Sequence, residues 1–203
     1  MSDVAVENAV DQSRRTWIAI TCGASAVGGV AVAVPFVSSF APSERARAAG
    51  APVQVDISGI KPGEKLTVEW RGKPVWIVRR TAEQVAALPK IDPQLADPKS
   101  ERKPSELTPE YARNAARSIK SEYFVGVGIC SHLGCSPSDR FTPGAQPSLP
   151  DDWAGGFLCP CHGSTFDLAG RVYKNKPAPD NLEVPPHMYL SDTTLVIGEE
   201  KKA

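Results

Sequence analysis

Histidine and methionine are scarce in this chain of 203 residues, with three and two copies, and net charge is absent. Lys plus Arg and Asp plus Glu number 23 each, so there is no excess of cations to form the basic face that nucleic acid requires. No internal repeat and no glycine-rich phosphate loop occurs, which speaks against solenoids and nucleotide-binding sites. The paired C-x-x-C of many zinc modules is missing as well. Long helical periodicity is confined to the N-terminus. The 19 prolines and 16 glycines point instead to short strands and many turns. With 41% apolar and 23% charged residues, the chain can fold as one ordinary soluble domain with additions.

One further absence is local. From Trp17 to Phe40 no residue is charged: WIAITCGASAVGGVAVAVPFVSSF. As a helix at about 1.5 Å per residue this segment spans roughly 36 Å, enough for a bilayer core of about 30 Å. A buried soluble helix is the other reading. The preceding polar MSDVAVENAVDQ reads as disordered, and Arg14–Arg15 just before the apolar run has the form of a twin-arginine export signal. Arg45 and Arg47 flank the far end, so charge alone leaves the orientation open. Ala31-Val32-Ala33 could serve as a cleavage site, whereas the apolar length favours a retained anchor. The domain plan is therefore an N-terminal segment at 1–16, an anchor at 17–40, a flexible tether at 41–51 (the weakly patterned SERARAAGA at 43–51) and a folded domain at 52–203.

Within that domain VQVDI, KLTVEW, PVWIVRR and EYFVGVGI read as strands, with a turn at Arg71-Gly72-Lys73. TAEQVAAL, 81–88, fits one short helix whose Thr81 and Gln84 form a capping box. Residues 92–118, rich in proline and charge, read as a surface insertion. MYLSDTTLVIG near the end reads as a hairpin around Ser191–Thr194. The fold class expected is all-β, mostly antiparallel, plus one N-terminal helix.

Four of the five cysteines and two of the three histidines fall in CSHLGC, 130–135, and CPCHGS, 159–164. Six donors can be used in several ways. Two Cys and two His could hold a structural zinc, four Cys could form two disulfides, and a Cys–His pair could be a nucleophile. Two thiolates and two imidazoles could instead hold a [2Fe–2S] cluster, each motif giving one of each. The remaining cysteine, Cys22, lies in the anchor, and His187 lies outside both motifs and reads as a surface or packing residue.

The two motifs resemble those of Rieske iron–sulfur proteins, specifically the quinol-oxidising, proteobacterial type found in cytochrome bc complexes. CSHLGC and CPCHGS match that family's C-T-H-L-G-C and C-P-C-H-G-S with only Ser131 in place of threonine. The resemblance extends to the twin arginines, the anchor, the tether, VEWRGKPVWIVRRT at 68–81 and the Pro177-Ala178-Pro179 loop. It implies an antiparallel β-sandwich with a small cluster-binding subdomain at about 128–180. It implies one Rieske [2Fe–2S] cluster, with Cys130 and Cys159 on one iron, His132 and His162 on the other, and Cys135 paired with Cys161 in a disulfide. A disulfide closing about 25 residues stabilises by roughly 3 kcal/mol and implies an oxidising compartment.

By the same resemblance, Ser164 hydrogen-bonds a bridging sulfide, while Pro177 and Pro179 shield the cluster. Many relatives carry a tyrosine at the position of Phe166, donating to a ligand sulfur, and a glycine where Lys176 precedes the proline loop. Neutral imidazoles in place of two thiolates leave the oxidised cluster uncharged, which is why such potentials lie at roughly −150 to +300 mV rather than about −400 mV. The implied function is electron transfer in a quinol–cytochrome c oxidoreductase, a translocase active only as an assembled complex. His162 would accept a hydrogen bond from ubiquinol, with Leu133 as an apolar contact. The electron would pass to a c-type cytochrome, with cytochrome b as the other partner, in a dimeric complex. The implied location is the bacterial inner membrane, single-pass, with the head on the periplasmic side. The relay subunit of a periplasmic oxidase, such as arsenite oxidase, is the alternative.

Overall fold

The computed structural model describes residues 2–44, 46, 50–102 and 107–200, and the chain divides into two compact units, Met1–Ala48 and Ala49–Ala203. In the first unit a single helix, α1, runs Ser2–Ser38. It begins well before the apolar run, where disorder was expected. No glycine or proline precedes Gly23, so a helix nucleated in the apolar segment propagates back through the polar one. Its stretch Gln12–Ser38, 27 residues, is long and apolar enough to cross a membrane, about 40 Å at 1.5 Å per residue. Trp17, Val27 and Phe36 are each more than 60% exposed, so nothing within its own unit covers the apolar side chains of this helix. Its threonines are satisfied internally: Thr16 and Thr21 hydroxyls donate to Gln12 O and Trp17 O, one turn back. Of the expected tether, residues 45 and 47–49, including Arg45 and Arg47, lie outside the described residues.

The second unit is antiparallel β throughout. Its strands are β1 (Val53–Asp56), β2 (Lys65–Trp70), β3 (Lys73–Arg79), β4 (Tyr123–Val127), β5 (Ser138–Arg140), β6 (Gly156–Leu158), β7 (Thr165–Asp167), β8 (His187–Tyr189) and β9 (Thr194–Ile197). They form three sheets ordered β1-β9-β8, β2-β3-β4 and β5-β6-β7. The turn from β2 to β3 is two residues, Arg71 at φ 53° and Gly72 at φ 70°, the doubly left-handed geometry that matches strand twist. The capping box is present: Gln84 N–H donates to Thr81 Oγ1, and Thr81 N–H to Gln84 Oε1, opening α2 (Ala82–Ala87).

The β2-β3-β4 sheet is buried on both faces. Val75, Ile77, Tyr123, Val125 and Val127 pack with Val55, Leu195 and Ile197 of the β1-β9-β8 sheet. Trp76, Val78 and Phe124 point the other way, into a core with Phe157, Phe166, Cys130 and Cys159. This two-sided burial is why β3 reads as an unbroken VWIV rather than an alternating pattern. Trp76 stacks on Phe157 with centroids 4.7 Å apart. Gly128 makes room for that indole, since a Cβ there would sit 2.1 Å from its Cε2.

The expected surface insertion at 92–118 is instead packed against the core. Leu95, Ala112 and Arg117 are fully buried within it, and residues 103–106 lie outside the described set. The cause is a set of buried guanidiniums. Arg117 donates to the carbonyls of Ala169, Gly170 and Leu182 and to Thr108 Oγ1. Arg171 pairs with buried Asp167 at 2.8 Å and with Asp92 at 2.7 Å.

Candidate metal centre

The two cysteine–histidine stretches fold as matched loops. In Cys130–Cys135, Gly134 N–H donates to Cys130 O at 3.1 Å and Cys130 N–H donates to Cys135 O at 2.8 Å. In Cys159–Ser164, Gly163 N–H donates to Cys159 O at 3.0 Å and Cys159 N–H to Ser164 O at 2.7 Å. Both loops turn on a glycine in the left-handed region, Gly134 at φ 82° and Gly163 at φ 72°. Strand pairing sets them side by side. The second loop caps the β6–β7 hairpin, closed by Leu158↔Thr165, and β5, which begins just after the first loop, pairs Ser138 with the same Leu158.

This arrangement sorts the side chains by depth. Cys130 and Cys159 open the two loops and are buried, 2% and 1% exposed. His132 is half-buried and His162 exposed, and their rings meet edge to face with centroids 4.7 Å apart. Leu133, between them in the first loop, stands 71% exposed. Cys135 and Cys161 are joined as a disulfide that spans 26 residues and ties loop to loop. The sulfurs of Cys135, Cys159 and Cys161 lie within 4.8 Å of one another, but two of those three are spent in that bond.

The residues left over fit a metal group. Two buried thiols face each other with no other use. Burial pushes the Cys130 thiol up, and a metal cation beside it would favour the thiolate. His132 Nδ1 is buried without a hydrogen-bond partner among the described residues, an orphan that a metal would satisfy. Two sulfur and two imidazole donors suit either zinc or a diiron cluster with mixed ligation, so donor chemistry alone does not decide between them.

Comparison with known proteins decides it. A model of the Rieske [2Fe-2S] domain matches residues 110–186, and one described as Ubiquitinol-cytochrome C reductase Fe-S subunit TAT signal matches residues 5–43. The ubiquinol-cytochrome c reductase iron-sulfur subunit of Allochromatium vinosum is 57% identical over 93% of this chain and 89% of its own. The chain belongs to this family of iron–sulfur subunits. The corresponding subunit of Bradyrhizobium diazoefficiens is 40% identical over 92% of this chain and 94% of its own. A chain in a solved hyperthermophilic respiratory complex III is 27% identical, covering 88% of this chain and 98% of that one, at a TM-score of 0.46. The cofactor of a Rieske domain is one [2Fe–2S] cluster, so the candidate centre is an iron–sulfur site rather than a zinc module.

The Rieske head also shows what supports the centre. Ser164 is fully buried, and its hydroxyl oxygen accepts from Ala178 N–H at 3.0 Å, leaving its proton free to donate toward sulfur. That bond holds the proline loop, in which Ala178 is buried while Pro177 and Pro179 are exposed. Asn175 takes φ 57° two residues before Pro177, a left-handed position that asparagine tolerates. Phe166 is fully buried in the same core as Cys130 and Cys159. Three features were not legible in the sequence. Ser131 Oγ donates to Asp180 O at 2.6 Å, pinning the first loop to the end of the proline loop. The buried Arg80, Arg117 and Arg171 gave no signal, because arginine reads as surface. His187 is buried, resolving the open choice in favour of packing.

Proposed function

We propose that Cys130 and Cys159 bind one iron and His132 and His162 the other, with Ser164, Phe166, Pro177 and Pro179 forming the surroundings of the cluster. The observation that carries this reading is the matched pair of loops, which bury one thiol each and bring one imidazole each to a common outer edge. The protein is the electron-transfer subunit of a quinol–cytochrome c oxidoreductase and acts within a cytochrome bc1 (complex III) assembly. A cluster ligated in this way supplies one-electron transfer at a potential of roughly −150 to +300 mV.

The chain's own residues do the rest. His162 is exposed at the tip, so its Nε2 can accept a hydrogen bond, and then the proton, from a ubiquinol hydroxyl. Leu133, the most exposed large apolar side chain among the described residues of the head, offers the quinol ring a contact beside it. Burial of Cys130 and Cys159 keeps water from the sulfur side. Cytochrome b would present the quinol and a c-type cytochrome would take the electron, with 41–51 as the tether that lets the head reach both, in a dimeric complex. The helix α1 anchors the protein to the membrane as a single span. The Cys135–Cys161 disulfide supports a head on the periplasmic, oxidising side of a bacterial inner membrane, delivered through the twin-arginine pair Arg14–Arg15.

The test is iron and acid-labile sulfide analysis with an electron paramagnetic resonance spectrum of the reduced protein, on wild type and His162→Ala. Wild type is expected to carry both elements and to copurify with cytochromes b and c, and the variant to lose cluster and quinol oxidation together. Intact turnover in His162→Ala would overturn the ligand assignment.

A further inference from the structure

Two fully buried arginines in the head form no ion pair with a carboxylate among the described residues. Arg80 is 2% exposed and Arg117 is at 0%, and among the described residues neither has an acidic oxygen within ion-pair distance. Their guanidiniums are held by neutral acceptors alone. Arg80 donates to the carbonyls of Ala116, Leu168 and Tyr123 and to Ser118 Oγ. Arg117 donates to the carbonyls of Ala169, Gly170, Leu107 and Leu182 and to Thr108 Oγ1. Two buried carboxylates lie in the same region but are engaged elsewhere: Asp167 pairs with Arg171 at 2.8 Å, and Asp97, 6% exposed, accepts from the backbone N–H groups of Glu101 and Arg102. Isolated cations inside a protein are rare, because desolvation is costly and an apolar side chain of similar volume is often better tolerated.

Their position is telling. Arg80 Cζ lies 5.9 Å from the centre of the Phe124 ring. A Cβ built on Gly170 would meet both Phe124 Cζ at 2.6 Å and an Arg117 nitrogen at 3.2 Å, so both cations border that one ring. Phe124 in turn belongs to the core that contains Cys130, Cys159, Phe157 and Phe166. The two buried positive charges and the thiols assigned above as ligands thus border one continuous, largely aromatic core. Such a core carries no mobile ions and little polarity, so it transmits the field rather than screening it.

We propose that Arg80 and Arg117 are redox-tuning residues whose unpaired buried charges raise the reduction potential of the centre by favouring the form with one more electron. The proposal rests on the ligand reading given above. Because each charge acts through a dry interior, its effect is set by position and is independent of bulk salt. Both arginines stay charged at all physiological pH, even though burial lowers each to about 10.

The experiment is voltammetry of the full-length protein in detergent, with the paramagnetic spectrum recorded on each sample to show that the cluster is present and mixed-ligated. Arg80→Met and Arg117→Met are each expected to weaken electron binding by about threefold to tenfold, and a tenfold loss is a drop of about 59 mV. The drop should persist between low and high salt, unlike any change from the exposed control Lys174→Met. Arg→Met changes can impair folding, so Ser118→Asp provides a second route. It places a carboxylate where Ser118 Oγ now accepts from Arg80, neutralising the cation while the arginine remains, and it should lower the midpoint as Arg80→Met does. Native spectra with unmoved midpoints in the methionine variants and in Ser118→Asp would overturn the proposal. A wild type without a cluster would instead overturn the ligand reading, so the two failures are distinguishable.

Discussion

Single residues in this head are placed so that their protonation or hydrogen bonding has nowhere else to go. Phe166 is fully buried beside Cys130 and Cys159 and offers sulfur no donor. A hydroxyl added there can donate to a ligand thiolate, and hydrogen bonds to charged groups are worth about 1.5–3 kcal/mol. About 1.4 kcal/mol corresponds to 59 mV for one electron, so even a partly redox-selective bond moves the potential by tens of millivolts. Phe166→Tyr is therefore expected to raise the midpoint in voltammetry; an unchanged value would remove the sulfur contact from the account. His187 is a second case. Its Nδ1–H donates to Pro185 O at 2.8 Å, its Nε2 is buried without a partner among the described residues, and its ring sits among Tyr111 and Tyr189. Burial pushes its pKa below the ordinary value, so the folded state resists the proton that the unfolded chain accepts near pH 6.5. This stability is complete above about pH 6.5 and is lost as pH falls toward the folded value. Melting temperatures between pH 7.5 and 5 should fall in wild type and fall less in His187→Gln.

At the scale of elements, each turn of the metal centre depends on its backbone geometry, and a side-chain bond joins the two. No heavy atom lies within 4 Å of a Cβ placed on Gly163 or Gly134, so only the left-handed φ demands glycine there. Gly163→Ala should cost about 1–2 kcal/mol of stability by thermal or denaturant unfolding, and Gly163→Asn less, since asparagine tolerates that region. An equal cost for both would point to a buried contact instead. Cys161→Ala, which opens the loop-to-loop bridge, should cost about 3 kcal/mol in the same assay. These loops were readable from the sequence because their chemistry is concentrated in two six-residue words. The long strands and the capped α2 were readable too, from runs such as PVWIVRR and from Thr81 with Gln84. β5 and β7 were not, because three residues cannot display a period of two. The packing of 92–118 was hidden for another reason: its proline and charge are those of a surface loop, and only tertiary carbonyls reveal that Arg117 points inward.

For the whole molecule, the division into Met1–Ala48 and Ala49–Ala203 carries a topological prediction. The second unit contains its own cores, its own disulfide and every proposed ligand of the cluster. The first is one helix whose apolar side chains face outward with nothing in its own unit to cover them. A cut between them removes no strand, no core residue and no loop of the metal centre, so the released head should stay folded and loaded. Residues 43–51 are small, polar and charged, the composition that proteases reach most easily. Mild proteolysis of intact spheroplasts is expected to release a soluble head that keeps its reduced-state paramagnetic spectrum, while sealed inside-out vesicles protect it. The opposite pattern would put the head on the cytoplasmic side, where glutathione and thioredoxin would work against the Cys135–Cys161 bond. It would also leave the twin arginines without an export role, so this one assay tests the compartment, the tether and the independence of the head together.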